Sequence, residues 1–551
     1  MEFTSVNKIF EASFKKHWDR PAISNYQGVT LHYRDVARRI EKLHIMFEEC
    51  GLQKGDKVAL CSRNQANWAV AFLATMTYGA VPVPLLHEFK SSNIHHLVNH
   101  SEAKILFVDD VIWEGLTETE MPDLHAIIQV NTFKLLYASD ARITEAREHL
   151  NELFGRKYPN VFTPDLLDYY EDSADELAII NYTSGTSGFS KGVMIPYRAI
   201  LSNLEFGRKV LPELDHTKNM VSMLPSAHMY GLMFELLYEL SVGAHVHFLS
   251  RVPSPKVIMQ AMADVKPYLV IAVPLVIEKI YKSKVKPILE KEGIRFLMKV
   301  PGLNQVVMNK IKAELINAFG GEFYQVIIGG AAFNKEVEAF FKRIGFPVTV
   351  GYGMTECAPI ITYDDWNVEK LYSCGKAAPN LEIRIESRDP ANVPGEILVR
   401  GANVFLGYFK NEEATKAVFT DDGWFRTGDM GVIDSEGCLF IKGRSKCMIL
   451  GPSGQNIYPE EVETVINSQP YVVDSLVVED NGGLTALIYP DFAQGAKDGM
   501  DQDAFIRYME DTLPELNKEL PNYAKLKKIE IMSEDFERTP KKSIKRYLYQ
   551  R

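Results

Sequence analysis

The segment at residues 182–193, YTSGTSGFSKGV, constrains the fold more than any other dozen residues. Five of its positions are Thr or Ser, three are Gly, and one is Lys191. Glycine lets backbone N–H groups face an anion, the hydroxyls add donors, and Lys191 adds a mobile positive charge. Apolar runs at residues 177–180 and 193–195 flank it. The pattern predicts a strand, a polyphosphate-binding loop and a second strand, and a flexible Ser/Gly turn is the alternative.

This loop is not the P-loop of the G-x-x-x-x-G-K-[ST] type, because no Gly-Lys pair stands at that spacing.

The chain has 551 residues, which suggests three to four units of ordinary domain size. Its net charge of −11 argues against a nucleic-acid partner. Six Cys form no C-x-x-C pair and have no His cluster beside them, so neither a zinc site nor a disulfide framework is predicted. Reduced thiols favour a cytoplasmic protein.

The longest uncharged run, residues 64–86, has the length of a membrane span. It contains Pro82 and Pro84, which would break a helix before it crossed a bilayer. We therefore predict a buried helix at residues 66–78 and a strand at 81–85, and no transmembrane segment. The N-terminus has acidic residues and no long apolar core, so it is not predicted to be a signal peptide.

Apolar runs alternate with helix-like segments along most of the chain. Strands are predicted at residues 57–61, 104–108, 244–249, 269–273 and 324–328, and helices at 31–50, 199–206 and 232–240. This alternation predicts an α/β fold with largely parallel sheets flanked by helices. Strand-like runs at 381–385 and 396–400 between Pro and Gly turns indicate a β-rich subdomain, at about 375–446.

A second change of texture near residue 443 predicts a small α+β C-terminal domain. Its elements are a helix that opens at Pro459, strands at 472–479, 484–489 and 528–532, and a helix around 503–520. The predicted domains are therefore residues 1–446 and residues 447–551.

Two glycine-rich turns are candidates for the walls of one ligand pocket. Residues 351–357, GYGMTEC, offer a ring face at Tyr352 and oxygen ligands for Mg²⁺ at Thr355 and Glu356. Residues 327–332, IIGGAA, read as a strand that runs into a turn of small residues, where α/β sheets form ligand crevices. Each motif alone is weak, and a structural turn is the alternative.

Two further residues are candidates for ribose or phosphate contacts. Asp429, in the segment WFRTGD, could accept hydrogen bonds from vicinal ribose hydroxyls, whereas an Asp in a hairpin turn is the alternative. Arg444, in KGRSK, lies where a strand ends and could reach a ribose or phosphate oxygen, whereas a solvated linker charge is its alternative.

In this order and spacing, the segments resemble the adenylate-forming superfamily of acyl-CoA synthetases, firefly luciferases and peptide-synthetase adenylation domains. The likeness covers most of the chain, and YTSGTSGxxKG is its most specific motif. The combination of GYGMTE, TGD and YPEEVE is most similar to long-chain fatty acyl-CoA ligases. The resemblance implies that the small C-terminal domain is mobile and adopts two orientations for two half-reactions.

The resemblance also implies roles for individual residues. The phosphate loop falls on Thr183, Ser184, Gly185, Thr186, Ser187, Gly188 and Lys191. The adenine pocket falls on Gly329, Gly330, Ala331, Tyr352, Gly353 and Met354, and Thr355 is a further expected cofactor contact. The Mg²⁺ ligands are Glu356 and Thr183, the ribose contacts are Asp429 and Arg444, and the residue that gates the acyl pocket is His228. Glu356, Thr355 and His228 are therefore expected to act in catalysis.

The family's C-terminal catalytic lysine falls on Ser543 in this chain. A neighbouring lysine is expected to take its place, with Lys542 as the first candidate and Lys545 as the second. Impaired adenylation is the alternative. The expected reaction activates a fatty acid with ATP and Mg²⁺ as acyl-AMP and transfers the acyl group to coenzyme A. Alternatives are a ligase that loads a carrier protein and a binding homologue without turnover, and peripheral membrane contact is compatible with each of them.

Overall fold

The structure, a computed structural model, describes residues 4–184, 190–250, 255–450, 456–480, 482–539 and 543–551. Its strands, in chain order, are β1 (Pro21–Asn25), β2 (Thr30–His32), β3 (Lys57–Cys61), β4 (Val81–Leu85), β5 (Ala103–Val108), β6 (Ala126–Gln129), β7 (Leu135–Ala138), β8 (Leu177–Ser184), β9 (Ser190–Pro196), β10 (Asn219–Ser222), β11 (His245–Phe248), β12 (Leu269–Ala272), β13 (Gln325–Ile328), β14 (Val348–Val350), β15 (Tyr352–Gly353), β16 (Ile360–Tyr363), β17 (Lys376–Ala377), β18 (Leu381–Glu386), β19 (Gly395–Gly401), β20 (Gly407–Tyr408), β21 (Phe425–Ile433), β22 (Leu439–Arg444), β23 (Ile449–Leu450), β24 (Asn456–Ile457), β25 (Val472–Asp480), β26 (Gly483–Pro490) and β27 (Leu526–Ile531).

Helices pack on the faces of these sheets. The α-helices are Val6–Lys16, Tyr33–Glu49, Ala66–Tyr78, Ser91–Ser101, Asp110–Trp113, Ala141–Glu148, Leu150–Lys157, Tyr197–Val210, Met229–Leu232, Tyr238–Val242, Pro255–Val265, Pro274–Ile280, Lys286–Leu289, Glu292–Leu297, Leu303–Ala318, Lys335–Arg343, Glu412–Lys416, Pro459–Asn467, Phe492–Lys497, Gln502–Glu510 and Leu513–Glu519. Two π-helical turns, Met233–Leu237 and Tyr281–Val285, continue the helices before them.

Two sheets with mainly parallel strands carry the larger part of the chain. One has the order β14-β13-β12-β10-β11-β1-β2 and the other β4-β3-β5-β6-β7, and in each only the pair at the right-hand end, β1–β2 or β6–β7, is antiparallel. The described residues thus confirm an α/β fold. The inner strands β3, β12 and β13 are runs rich in Val, Ile, Leu and Ala that are buried on both faces, as helix-covered parallel sheets require.

Antiparallel sheets follow the parallel ones. Strand β8 pairs with β9 and β9 with β20, while β18-β19-β21-β22 form a four-stranded sheet in the predicted β-rich region. In the C-terminal part β25-β26-β27 form a sheet whose core consists of residues from 457 onward. The boundaries predicted at 446 and 447 stay a prediction.

Most predicted elements are present with bounds that differ by a few residues, and one is wrong. The predicted helix at 503–520 is two helices, Gln502–Glu510 and Leu513–Glu519. Pro514 is the cause, because its missing N–H is tolerated in the first turn of a new helix but not inside a continuous one. No helix in the described ranges is long and apolar enough to cross a membrane.

Candidate active site

The two glycine-rich turns lie side by side at one edge of the larger parallel sheet. Strands β13 and β14 are parallel neighbours, and Ile328 is paired with Val350 at their ends. The backbone N–H of Gly351 donates to the carbonyl of Ile328 over 2.9 Å. The turn at Gly329 to Ala331 and the turn at 351–354 therefore follow adjacent strand ends, which is where α/β sheets bind ligands.

Gly353 allows the second turn to close. A Cβ at this position would collide with the carbonyl of Pro359, the residue directly before β16, which pairs with β15. The Met354 N–H donates to the same carbonyl over 2.9 Å. The close backbone approach requires glycine here and holds Tyr352 at the edge of the sheet.

Tyr352, Asp429 and Arg444 form a connected group at this edge. The Tyr352 hydroxyl donates to Asp429 Oδ2 over 2.6 Å, and Arg444 Nε lies 3.2 Å from Asp429 Oδ1. Asp429 and Arg444 are paired positions on β21 and β22. Asp429 is thus inside a strand rather than in a hairpin turn, and it is the residue that joins the other two.

The surroundings of Asp429 are unusual for a carboxylate. It is buried, and this burial raises its pKa above the ordinary value although Arg444 acts in the opposite direction. Burial and the neighbouring carboxylate also raise the pKa of the Tyr352 hydroxyl, so Tyr352 stays a hydrogen-bond donor at neutral pH. Each Asp429 oxygen keeps lone-pair capacity for a further donor.

A second group joins Glu356 to the hairpin of the phosphate-loop motif. The Tyr408 hydroxyl donates to Glu356 Oε1 over 3.0 Å, and Lys191 Nζ lies 4.6 Å from the centre of the Tyr408 ring. Strand β20, which carries Tyr408, pairs with β9, which carries Lys191. Tyr408 is not among the residues predicted from the sequence. It lies 52 residues from Glu356, and no local pattern marks it.

The remaining phosphate-loop residues are only partly described. Thr183 is opposite Lys191 in the β8–β9 pair, and both are partly buried. Of Ser184 only the backbone is described, at the end of β8. Gly185, Thr186, Ser187 and Gly188 lie outside the described residues. The predicted strands on both sides of the loop are confirmed.

The loop that carries His228 is held from two sides. Asn181 of β8 donates to the carbonyl of Ala227 over 2.9 Å, and Tyr230 donates through its hydroxyl to the carbonyl of Ile327 over 3.1 Å. His228 caps the helix Met229–Leu232, and its Nδ1 accepts from the Tyr230 N–H over 3.3 Å. His228 therefore lies between the phosphate-loop hairpin and the end of β13.

Two buried glutamates behind this loop were missed in the sequence. Glu235 Oε2 accepts from the Ser222 hydroxyl and from the N–H groups of Met223 and Leu224, at 2.9–3.1 Å. Neither carboxyl oxygen of Glu239 has a hydrogen-bond partner, and burial raises its pKa to about 8. The sequence offers one signal for them, two Glu four residues apart within the predicted helix at 232–240.

Lys542 lies outside the described residues, whereas its flanks are described. Arg538 and Ile544 form an antiparallel bridge, and Lys545 Nζ lies 3.1 Å from Glu537 Oε2. Arg546 forms an ion pair with Glu463 of the YPEEVE helix, Pro459–Asn467. The C-terminal segment is thus fixed by Arg546, and Lys545 is already engaged with a carboxylate.

The donor set suits Mg²⁺ better than a transition metal. Within the described part of the chain no group of three His, Cys, Asp or Glu is arranged to hold an ion. Mg²⁺ commonly binds through one or two carboxylates together with substrate phosphates and water. A buried carboxylate such as Glu356, beside a phosphate-loop motif, fits that requirement.

Comparisons with known proteins agree with this arrangement. A sequence model of the AMP-binding enzyme family matches residues 10–409, and one of the AMP-binding enzyme C-terminal domain matches residues 448–551. The long-chain-fatty-acid–CoA ligase FadD15 of Mycobacterium bovis is 28% identical over 477 residues, which cover 81% of this chain and 74% of that protein.

Solved structures share the fold. ATP-bound MatB from Rhodopseudomonas palustris superposes with a TM-score of 0.76 at 24% identity, covering 99% of this chain and 98% of that one. The o-succinylbenzoate coenzyme A synthetase of Bacillus subtilis, in complex with ATP and a magnesium ion, gives 0.73 at 22% identity, with 98% of each chain covered. At these identities the likeness supports the fold, and the choice of acid has to be argued separately.

Proposed function

The chain belongs to the family of AMP-binding enzymes, and we propose that it is an acid–thiol ligase that joins a fatty acid to coenzyme A. In the first half-reaction the fatty acid carboxylate attacks the α-phosphorus of ATP, giving acyl-AMP and pyrophosphate. In the second the thiol of coenzyme A attacks the acyl carbon, giving acyl-CoA and AMP with release of one proton.

The observation that carries this proposal is the group formed by Tyr352, Asp429 and Arg444 near the carboxyl ends of β13 and β14. Tyr352 supplies an aromatic surface for the adenine. Asp429, held by Tyr352 and Arg444, supplies carboxylate oxygens for the ribose hydroxyls. Hydrogen bonds to a charged acceptor contribute about 1.5–3 kcal/mol each. The pocket is therefore suited to a nucleoside rather than to a free phosphate.

The phosphates are proposed to extend from this pocket towards the β8–β9 hairpin. Attack of a carboxylate on a polyphosphate brings like charges together, so the site must neutralise them. Lys191 and the loop hydroxyls offer cationic and hydroxyl donors. Glu356, with Thr183, would hold Mg²⁺, which would polarise the phosphoryl oxygens and offset their charge. Tyr408 fixes the orientation of Glu356.

The C-terminal part is proposed to supply a second cation for adenylation. Since Lys545 is paired with Glu537, Lys542 is the better candidate. Lys282 Nζ donates to the carbonyls of Asn467 and Val472 at 3.1 and 3.3 Å, and so ties the C-terminal part to the rest of the chain. A change of domain orientation between the half-reactions would break this tie.

A long or medium fatty acid is the proposed acid. The relative from Mycobacterium bovis bears the name of a long-chain-fatty-acid–CoA ligase. The segment that follows His228 is rich in Leu and Met, although it also carries Glu235 and Glu239. Each CH₂ buried on binding contributes about 0.8 kcal/mol, so kcat/KM should rise with chain length until the pocket is full. The six free cysteines favour a cytoplasmic location.

The test is a product analysis with saturated acids from acetate to stearate and with benzoate, in the presence of ATP and Mg²⁺, with and without coenzyme A. We expect acyl-AMP without coenzyme A, and equal amounts of acyl-CoA, AMP and pyrophosphate with it. A preference for acetate or benzoate would refute the fatty-acid assignment. Acyl-AMP that accumulates unchanged in the presence of coenzyme A would instead indicate another acceptor, such as a carrier protein.

A further inference from the structure

A helical tip at residues 291–312 exposes large apolar side chains that nothing in the site requires. Phe296 is 68% exposed, Val306 64% and Leu303 44%. They lie within eleven residues of each other, on the helix Glu292–Leu297 and at the start of the helix Leu303–Ala318. A cluster of exposed apolar residues of this kind marks an interaction surface more often than isolated ones do.

Two of these side chains, Phe296 and Val306, lie on the sides of their helices that face away from the core. Ile294 and Leu297 of the first helix pack against the core, and so do Val307, Met308 and Ile311 of the second. On a helical wheel, Phe296 lies about 130° from the mean direction of Ile294 and Leu297, and Val306 lies about 120° from that of Val307 and Ile311. Leu303 is on the same side as Val307 and is exposed as the first residue of its helix. Phe296 and Val306 therefore point to solvent, and Leu303 adds exposed apolar surface at the start of the second helix.

The tip is also strongly basic within an acidic protein. Residues 291–312 contain Lys291, Arg295, Lys299, Lys310 and Lys312 against the single acid Glu292, a net charge of +4 in a chain of −11. Among the described residues none of these five cations forms a salt bridge. Their charge is thus available to an external partner.

We propose that the tip at residues 291–312 docks the protein on the surface of an anionic phospholipid bilayer. Cations beside exposed Phe, Leu and Val match the two layers of such a surface, since the headgroups attract the cations and the acyl boundary takes the apolar side chains. A second copy of this chain fits less well, because tip-to-tip contact would bring two positive surfaces together.

The experiment is flotation of the purified full-length protein with vesicles of phosphatidylcholine alone or with 30 mol% phosphatidylglycerol. We expect binding to the anionic vesicles only, and weaker binding as NaCl is raised from 0.1 to 0.5 M. Arg295→Gln with Lys299→Gln should lower the partition coefficient about 30-fold, since each cation near the surface contributes about fivefold. Phe296→Ser should lower it about tenfold.

Matched controls distinguish the tip from general effects of charge and polarity. Lys525→Gln with Lys527→Gln removes the same charge from exposed positions in the C-terminal part, and Val161→Ser alters an apolar side chain that is 78% exposed elsewhere. Both should bind vesicles as the wild type does. The proposal is overturned if the wild type stays unbound, or if controls and tip variants lose equal affinity. It is also overturned if Phe296→Ser abolishes self-association in lipid-free sedimentation but leaves flotation unchanged.

Discussion

Replacement of Asp429 by Asn should weaken ATP binding by at least about tenfold. Asp429 is buried, and its two oxygens each have one protein partner, Tyr352 on Oδ2 and Arg444 on Oδ1. The substitution keeps the shape of the side chain but replaces one acceptor by an N–H₂ donor and removes the charge. The carboxamide can then no longer accept hydrogen bonds through both of its terminal atoms.

The magnitude follows from the bonds that would be lost. A hydrogen bond to a charged acceptor contributes about 1.5–3 kcal/mol, and about 1.4 kcal/mol corresponds to a tenfold change in Kd. Loss of one ribose bond therefore gives the lower limit, and loss of two would give about a hundredfold or more. Tyr352→Phe, which removes only a donor to Asp429, should have a smaller effect.

Calorimetric titration with ATP and with its 2′-deoxy and 3′-deoxy analogues measures the contact itself. The wild type should lose affinity for at least one analogue, whereas Asp429→Asn should bind that analogue and ATP about equally. Glu386→Gln is the matched control, because it removes an exposed partner of Arg426 from the same sheet. Equal ATP affinity in Asp429→Asn, or an unchanged preference for ATP over both analogues, would refute the assignment.

Three further changes test separate parts of the site and fold. Glu356→Gln should slow acyl-AMP formation at low Mg²⁺, and an unchanged Mg²⁺ dependence of the rate would contradict the metal assignment. Lys542→Ala should slow acyl-AMP formation while leaving thioester formation from supplied acyl-AMP intact, and normal adenylation would rule out this lysine. Glu239→Gln tests a buried acid whose pKa is raised to about 8. A raised pKa means that the folded state holds the Glu239 proton more tightly than the unfolded state does. The stabilisation of the fold by protonated Glu239 is therefore fully present below pH about 4.5 and is lost as the pH rises towards 8. Between pH 5 and 7 the wild type should lose about 2.5 kcal/mol more of its free energy of unfolding than Glu239→Gln, measured by urea titration. Parallel curves for the two proteins would contradict this.

Elements with a strong local signal could be predicted closely from the sequence. The helix Ala66–Tyr78 ends at Gly79, whose φ of +87° forms a left-handed cap. The two prolines of β4 are accommodated because β4 is the edge strand of its sheet. The helix predicted at 503–520 is divided in two, because Pro514 starts a new helix and cannot continue the preceding one.

Residues whose role depends on distant partners could not be found in this way. Tyr408 contacts Glu356 because β20, which carries Tyr408, pairs with β9. Arg546 forms its ion pair with Glu463 because the C-terminal segment packs beside the helix Pro459–Asn467. Glu235 is buried, and it accepts hydrogen bonds from two backbone N–H groups that belong to a different segment of the fold. Tertiary pairing, which the one-dimensional pattern does not contain, decides each of these contacts.

The most direct test of the proposed function is acid-dependent exchange of labelled pyrophosphate into ATP in the absence of coenzyme A. Exchange reports reversible formation of an acyl-adenylate and requires neither the second half-reaction nor the thiol. We predict exchange that requires both Mg²⁺ and a fatty acid of medium or long chain. Absence of exchange with every fatty acid tested, or exchange at the same rate without any acid, would contradict the account.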